Sequence, residues 1–168
     1  QSSSVTNFAD EPHMQAQAIT DRIVEEISKQ TYDVYIVNFA NADMVGHTGN
    51  FKATVMACEF VDQCLARIHE RVFAQEGALV ITADHGNAEE MINPTTHAVE
   101  TDHTTNPVVL HVVAEHVRRS RKKSDQELQS LLSTPIGVLT DVAPTILDIL
   151  GIEKPSVMTG VSLLPSLR

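Results

Sequence analysis

The chain has 168 residues, with 12 Lys and Arg against 22 Asp and Glu, which gives a formal net charge of −10. That length predicts a single domain, and a hydrophobic content of 42% is enough for a core and argues against disorder. The acidic balance works against binding to nucleic acid or to an anionic membrane, and no apolar run approaches the ~20 residues that span a bilayer.

The first residues do not have the pattern of a signal peptide. Gln1–Ser4 contain no initiator Met, no basic region and no apolar region. We therefore expect the sequence to be a piece of a longer protein.

Helical periodicity recurs along the chain. Apolar residues three and four apart predict a helix over 16–28 and a long amphipathic helix over 51–72. A capping box at Ser124–Glu127 predicts a short helix to about residue 132. The pattern over 142–150, with Pro144 in its first turn and Gly151 as its stop, predicts a last helix. We place the buried stripe of the long helix on Phe51, Val55, Cys58, Val61, Leu65, Ile68 and Val72.

Three short β-branched runs lie between these helices. Residues 32–39, 78–82 and 107–113 are apolar on both faces, which is typical of buried parallel strands. Strands that alternate with helices predict an α/β sandwich with a largely parallel sheet. In such sheets, ligands bind at the carboxyl ends of the strands.

Both cysteines are predicted to be small core residues. Cys58 and Cys64 fall within the long helix, six positions apart, so a disulfide between them is not expected. This fits a reducing, cytoplasmic setting. The basic run over residues 118–123 is interpreted as a solvated loop.

Asp and His residues cluster at the predicted strand ends. Asp43 and His47 follow the first strand, Asp84 and His85 follow the second, and His103 precedes the third. Carboxylate oxygen together with imidazole nitrogen favours Mn, Zn, Co or Fe over Ca. Each motif alone also fits a structural role, such as a turn or capping Asp and an exposed His. Their joint placement favours a metal site, where paired ions could bind a phosphoryl group.

The same segments resemble a known family. Residues 41–49 (NADMVGHTG), 82–89 (TADHGNAE), 103–108 (HTTNPV) and 141–148 (DVAPTILD) are similar to cofactor-independent phosphoglycerate mutase, of the alkaline-phosphatase superfamily. The resemblance implies a three-layer α/β sandwich, with residues 1–15 as a residual interdomain linker and 16–168 as the C-terminal portion of the metal-binding phosphatase domain.

The resemblance also implies the ligands and the cofactors of the site. Asp43, His47 and His103 would bind one divalent ion, and Asp84 and His85 would bind the other. The expected metal is Mn²⁺, with Co²⁺, Mg²⁺ and Zn²⁺ left open, and 2,3-bisphosphoglycerate is not required.

The activity that the resemblance implies is the interconversion of 3-phosphoglycerate and 2-phosphoglycerate through a phosphoserine, in glycolysis and gluconeogenesis. The nucleophilic serine and the inserted substrate domain have no counterpart here, so no catalytic residue is assigned in this chain. Ser4 and His13 stand where the family has Lys and Glu. We therefore expect the chain alone to have little or no mutase activity.

The implied partner is the small phosphoglycerate substrate, with no nucleic acid and no membrane. The resemblance implies a monomeric parent, whereas an open sheet edge favours self-association of the fragment. Two alternatives stay open at this point. One is another enzyme of the superfamily, such as a phosphopentomutase or a metal-dependent phosphohydrolase, and the other is a non-catalytic domain that retains the fold.

Overall fold

The computed structural model describes residues 6–93, 95–117 and 122–167. Ser4 and most of the basic run over 118–123 lie outside the described residues. The chain divides into two compact units, one formed by residues 1–75 and 85–106 and the other by 76–84 and 107–168. Within the described part, no helix is long and apolar enough to cross a membrane.

The described residues of the first unit include three α-helices, a short 3-10 helix over Phe8–Asp10 and a long loop. Helices α1 (Ala16–Lys29), α2 (Asn41–Gly46) and α3 (Phe51–Phe73) precede the loop over residues 85–106. Val45 of α2 packs with Ala53 and Ala57 of α3, and Phe8, Ala9 and Met14 cover this cluster. The small alanines allow α2 and α3 to approach closely, which fixes the position of α2 beside the loop.

The buried face of α3 differs from the predicted one. The prediction that Cys58 is a core residue was wrong, because Cys58, Val55 and Phe51 are exposed. The predictions that Cys64 and Ile68 are buried are confirmed, and the helix also buries Ala53, Thr54 and Ala57, which were not predicted. Ala53 and Ala57 are buried because they pack against Val45 of α2, where small side chains allow the two helices to lie close together.

In the part of the second unit that the structure describes, there are a two-stranded sheet, three α-helices and two short 3-10 helices. Strands β1 (Leu79–Thr82) and β2 (Leu110–Val113) pair with Leu79 opposite Val113. Helices α4 (Asp125–Ser133), α5 (Val142–Ile149) and α6 (Leu164–Leu167) follow. The predicted capping box is present, since the Glu127 N–H donates to Ser124 Oγ over 3.3 Å and the Ser124 N–H donates to the Glu127 carboxylate over 2.8 Å.

Asp141 joins the turn that begins at Val138 to the segment around Val161. Its carboxylate accepts hydrogen bonds from the N–H of Val138 at 2.9 Å and from the N–H of Val161 at 2.8 Å. These two bonds, first that of Val138, lower the pKa of Asp141 below its ordinary value, and they outweigh the opposing effect of burial.

The predicted parallel arrangement was wrong for these two strands, because β1 and β2 are antiparallel. A parallel pair needs a crossover connection, usually a helix. The described residues between β1 and β2 contain no helix, so the chain returns to β1 in the opposite direction.

The predicted buried strand over residues 32–39 was also wrong. This segment has no ladder partner among the described residues, and Ile36 is 92% exposed. An apolar β-branched run favours the extended conformation but does not supply a neighbouring strand. The domain boundary predicted between residues 15 and 16 stays a prediction, and the coarser prediction of an α/β chain holds.

Candidate metal centre

The segment that carries Asp43 and His47 is helical, where the sequence predicted a loop. Asp43 lies in α2, and His47 caps the end of that helix with φ −57° and ψ −17°. The His47 N–H donates to the Asp43 carbonyl oxygen at 3.0 Å. Residues four apart on a helix share a face, so the two side chains point to the same place.

Three of the predicted ligands meet in a tight triangle. Asp43 Oδ1 lies 3.2 Å from His47 Nε2 and 3.2 Å from His103 Nε2. The two Nε2 atoms are 3.1 Å apart. Two atoms that each lie about 2.0–2.2 Å from one ion are separated by about 2.8–3.6 Å in tetrahedral or octahedral coordination. The triangle therefore has the dimensions that a transition-metal ion requires.

The hydrogen bonding of His47 orients its ring for this role. His47 Nδ1 lies 2.6 Å from the Thr101 carbonyl oxygen, which can only accept, so Nδ1 is assigned the proton. The neutral ring then has its lone pair on Nε2, the atom that faces Asp43 and His103. Histidine ligands of metals are commonly held in this way by a backbone carbonyl.

Asp43 Oδ1 gives the clearest indication that these residues suit a cation. This oxygen is buried and accepts no hydrogen bond of acceptable geometry from the described residues. A buried, unsatisfied carboxylate oxygen is costly, and the neighbouring lone pair on His47 Nε2 adds repulsion. A cation at this position would relieve both, so these residues fit a metal ion.

His85 joins the same cluster. Its ring stacks on that of His103 with the centroids 3.7 Å apart and the planes at 22°. One ligand atom from each of Asp43, His85 and His103 lies within 4.8 Å of the other two. Asp43 and His103 are thus shared between two sets of three ligand atoms.

Asp84 is described separately from the other four predicted ligands. It is exposed and belongs to the second compact unit, whereas Asp43, His47, His85 and His103 all belong to the first. The assignment of Asp84 and His85 to a second ion stays a prediction.

Sequence reasoning missed a hydrogen-bonded frame around the ligands. Glu89 is exposed, and its carboxylate accepts hydrogen bonds from the N–H of Asn87 at 2.7 Å, from the Asn106 amide at 3.0 Å and from the Thr104 hydroxyl. Burial raises the pKa of Glu89, but the hydrogen bonds, foremost that from Thr104, outweigh it and lower the pKa below its ordinary value. The glycine at position 86 was the available signal in the sequence. Glycine is the only residue type without a Cβ atom, and a Cβ atom at this position would overlap with Glu89 and Thr104.

Comparisons with known proteins agree with a metal centre. A family model described as "Metalloenzyme superfamily" matches residues 1–154. Curated relatives named 2,3-bisphosphoglycerate-independent phosphoglycerate mutase include those of Ruthia magnifica, 49% identical over 163 residues, and Acetivibrio thermocellus, 46% identical over 163 residues. Each alignment covers 97% of this chain, which spans about 30% of the length of these relatives.

A solved structure has the same fold. The phosphoglycerate mutase of Leishmania mexicana, determined at low cobalt concentration, matches with a TM-score of 0.77 and 32% identity. The match covers 95% of this chain and 30% of that one. The similarity to phosphoglycerate mutases that the sequence motifs suggested is thus confirmed. Because the family model matches residues 1–154 of the 168 in this chain, the chain belongs to the metalloenzyme superfamily.

Proposed function

We propose that this chain carries the metal-ligating part of a cofactor-independent phosphoglycerate mutase. The activity is the interconversion of 3-phosphoglycerate and 2-phosphoglycerate without 2,3-bisphosphoglycerate. The observation that carries the proposal is the triangle formed by Asp43 Oδ1, His47 Nε2 and His103 Nε2, with edges of 3.1 and 3.2 Å. The names of the relatives support the substrate.

In this proposal, Asp43, His47 and His103 hold one divalent ion, and Asp84 and His85 contribute to a second. The expected metal is Mn²⁺, with Co²⁺, Mg²⁺ and Zn²⁺ as alternatives. Bound divalent ions supply positive charge that neutralises phosphoryl oxygens. That supply matters here, because a chain with a net charge of −10 otherwise repels a phosphorylated acid.

The protein's own contribution is rigidity and proton placement. The Thr101 carbonyl holds the proton of His47 on Nδ1, and the helical turn between Asp43 and His47 fixes their spacing. Ligands held in place before the metal arrives lose little conformational freedom on binding. The proposal further includes a three-layer sandwich with a largely parallel sheet and a monomeric whole enzyme. It also includes a cytoplasmic location and a role in glycolysis.

Metal titration of the purified chain tests the site. After removal of metals with a chelator, Co²⁺ and Mn²⁺ are titrated by calorimetry, and Co²⁺ is also followed by its visible absorption. Asp43→Asn should abolish binding of the first ion, because it removes the charge of the buried oxygen. Asp62→Asn is the matched control, since Asp62 is exposed on α3. Equal affinities for the two variants would contradict the site.

Mutase activity is tested on the protein encoded by the complete reading frame that contains this sequence. Conversion of 3-phosphoglycerate should proceed without 2,3-bisphosphoglycerate, stop on chelation and return with Mn²⁺. Asp43→Asn should remove it, whereas Asp62→Asn should not. Undiminished activity in the Asp43→Asn protein would refute the proposed role of this residue.

A further inference from the structure

Four of the five predicted ligands come from three separate segments of the first unit. Asp43 and His47 lie at α2, His85 lies at the start of the long loop, and His103 lies near its end. A metal site needs these segments to keep a fixed separation, because ligand atoms must stay within a few tenths of an ångström of their productive positions. Some group must therefore join the two ends of the loop to each other and to α2.

Glu89 joins the two ends of the loop. One carboxylate oxygen accepts from the N–H of Asn87, two residues after His85. The other accepts from the Thr104 hydroxyl and the Asn106 amide, which closely follow His103. One side chain thus binds both ligand-bearing ends, and hydrogen bonds to a charged acceptor are the stronger kind.

The backbone also joins the two ends of the loop. The Thr104 N–H donates to the Gly86 carbonyl oxygen at 2.8 Å, and the two residues form an isolated antiparallel bridge. A Cβ atom at Gly86 would lie 2.2 Å from Glu89 Oε1 and 2.3 Å from Thr104 Oγ1. The carboxylate and the hydroxyl therefore occupy the space that glycine leaves, directly over the bridge between the two loop ends.

Asn87 extends the contact to α2. A Cβ atom at Gly46 would lie 2.0 Å from Asn87 Oδ1, so the Asn87 side chain packs directly on α2 between Asp43 and His47. Asn87 is 6% exposed. Since its N–H is held by Glu89, the carboxylate also fixes the residue that contacts the third ligand-bearing segment.

We propose that Glu89 is a positioning residue that sets the separation of His85, His103 and α2, so that it controls metal affinity and coordination geometry without binding the metal. As a statement about metal affinity, this inference rests on the proposed function. As a statement about the bridge between the loop ends, it is independent of any metal.

The test compares Glu89→Ala with Glu90→Ala in the full chain. Glu90 carries the neighbouring carboxylate, which accepts a hydrogen bond from the Asn106 amide at 3.0 Å. The hydrogen bonds that the Asn87 N–H and the Thr104 hydroxyl donate go to Glu89. Glu90→Ala therefore removes the same charge and leaves the bonds of Glu89 in place. Glu89→Ala should weaken Co²⁺ binding by about 10–100-fold, the effect typical of losing a group that orients metal ligands.

Two further readouts separate positioning from general destabilisation. The visible spectrum of bound Co²⁺ should change in Glu89→Ala and not in Glu90→Ala, because it reports the arrangement of the ligands. Glu89→Gln should fall between wild type and Glu89→Ala, since its amide oxygen can accept from Thr104 while its NH₂ group opposes the Asn87 N–H. Unchanged Co²⁺ affinity and spectrum in Glu89→Ala, or an equal loss in Glu90→Ala, would overturn the proposal.

A metal-free measurement keeps the two hypotheses distinct. Hydrogen exchange of the Thr104 amide, followed by NMR, should accelerate in Glu89→Ala and stay slow in Glu90→Ala. If wild type binds no Co²⁺, the proposed function fails, and Glu89 is judged by this exchange rate alone. If Glu89→Ala does not fold, Glu89→Gln and Thr104→Val carry the same comparison, and wild-type exchange in both would overturn the role of Glu89.

Discussion

Gly46 offers a quantitative test of how closely α2 and the long loop are packed. In Gly46→Ala, the new methyl would lie 2.0 Å from Asn87 Oδ1 and 3.1 Å from its Cγ. Ordinary contacts between heavy atoms are about 3.5 Å or more, so Asn87 must move by more than an ångström. Because Asn87 is 6% exposed, that movement displaces packed neighbours.

We expect Gly46→Ala to lower the free energy of unfolding by about 1–3 kcal/mol, the usual cost of overpacking. The gain in helix propensity of at most about 1 kcal/mol offsets this only in part. The free energy of unfolding is measured by urea unfolding, with an unchanged m value. The affinity for Co²⁺, measured by titration, should also fall, because α2 carries Asp43.

The same substitution made in the Asn87→Ala variant tests whether the cost comes from contact with Asn87. In Asn87→Ala the oxygen that meets the new methyl is gone, so the same Gly46→Ala change should be neutral or stabilising by up to about 1 kcal/mol. The coupling between the two sites is then at least about 1 kcal/mol, within the range for residues in contact. Equal costs of Gly46→Ala in both backgrounds would show that the predicted contact with Asn87 does not exist.

Three further predictions address the ligands, the acid response and the core. His103→Ala should weaken Co²⁺ binding by at least about 100-fold, more than the loss of an orienting group, whereas His111→Ala on the exposed side of β2 should not. Since hydrogen bonds lower the pKa of Asp141, its stabilising effect is complete above the ordinary carboxyl pKa and is lost as the pH falls through the lowered one. The melting-temperature difference between wild type and Asp141→Asn should therefore be constant near neutral pH and shrink in acid, and a difference independent of pH would refute this reasoning. Ile68→Ala should cost about 2–5 kcal/mol in urea unfolding and Val55→Ala less than about 0.5 kcal/mol, because only Ile68 is buried.

The parts of the fold that depend on local chemistry could be predicted from the sequence. Helix α1 begins at Ala16 as predicted, α5 ends before Gly151, and that glycine has φ +66°. The capping box at Ser124 is present. Periodicity, caps and glycine stops act within a few residues, so a single sequence contains the information for them.

The errors concern partners that are distant in sequence. The direction of β2 depends on the connection from β1, and the exposure of Ile36 depends on whether a neighbouring strand is present. The buried face of α3 was misplaced because the sequence does not show which helix packs against it. Alanines such as Ala57 have low hydrophobic weight in a periodicity argument, yet they are the residues that a close helix pair buries.

The candidate site shows the same division at the level of single atoms. Asp43, His47 and His103 are recognisable as candidate ligands because metal chemistry restricts which side chains can serve. Glu89 is not recognisable in that way, since a carboxylate in a polar loop is usually solvated. Its contacts with Asn87 and Thr104 exist only because the chain brings residues 86 and 104 together. The proposed metal ligands can therefore be recognised from their residue types in the sequence, whereas the contacts of Glu89 become identifiable only in the folded chain.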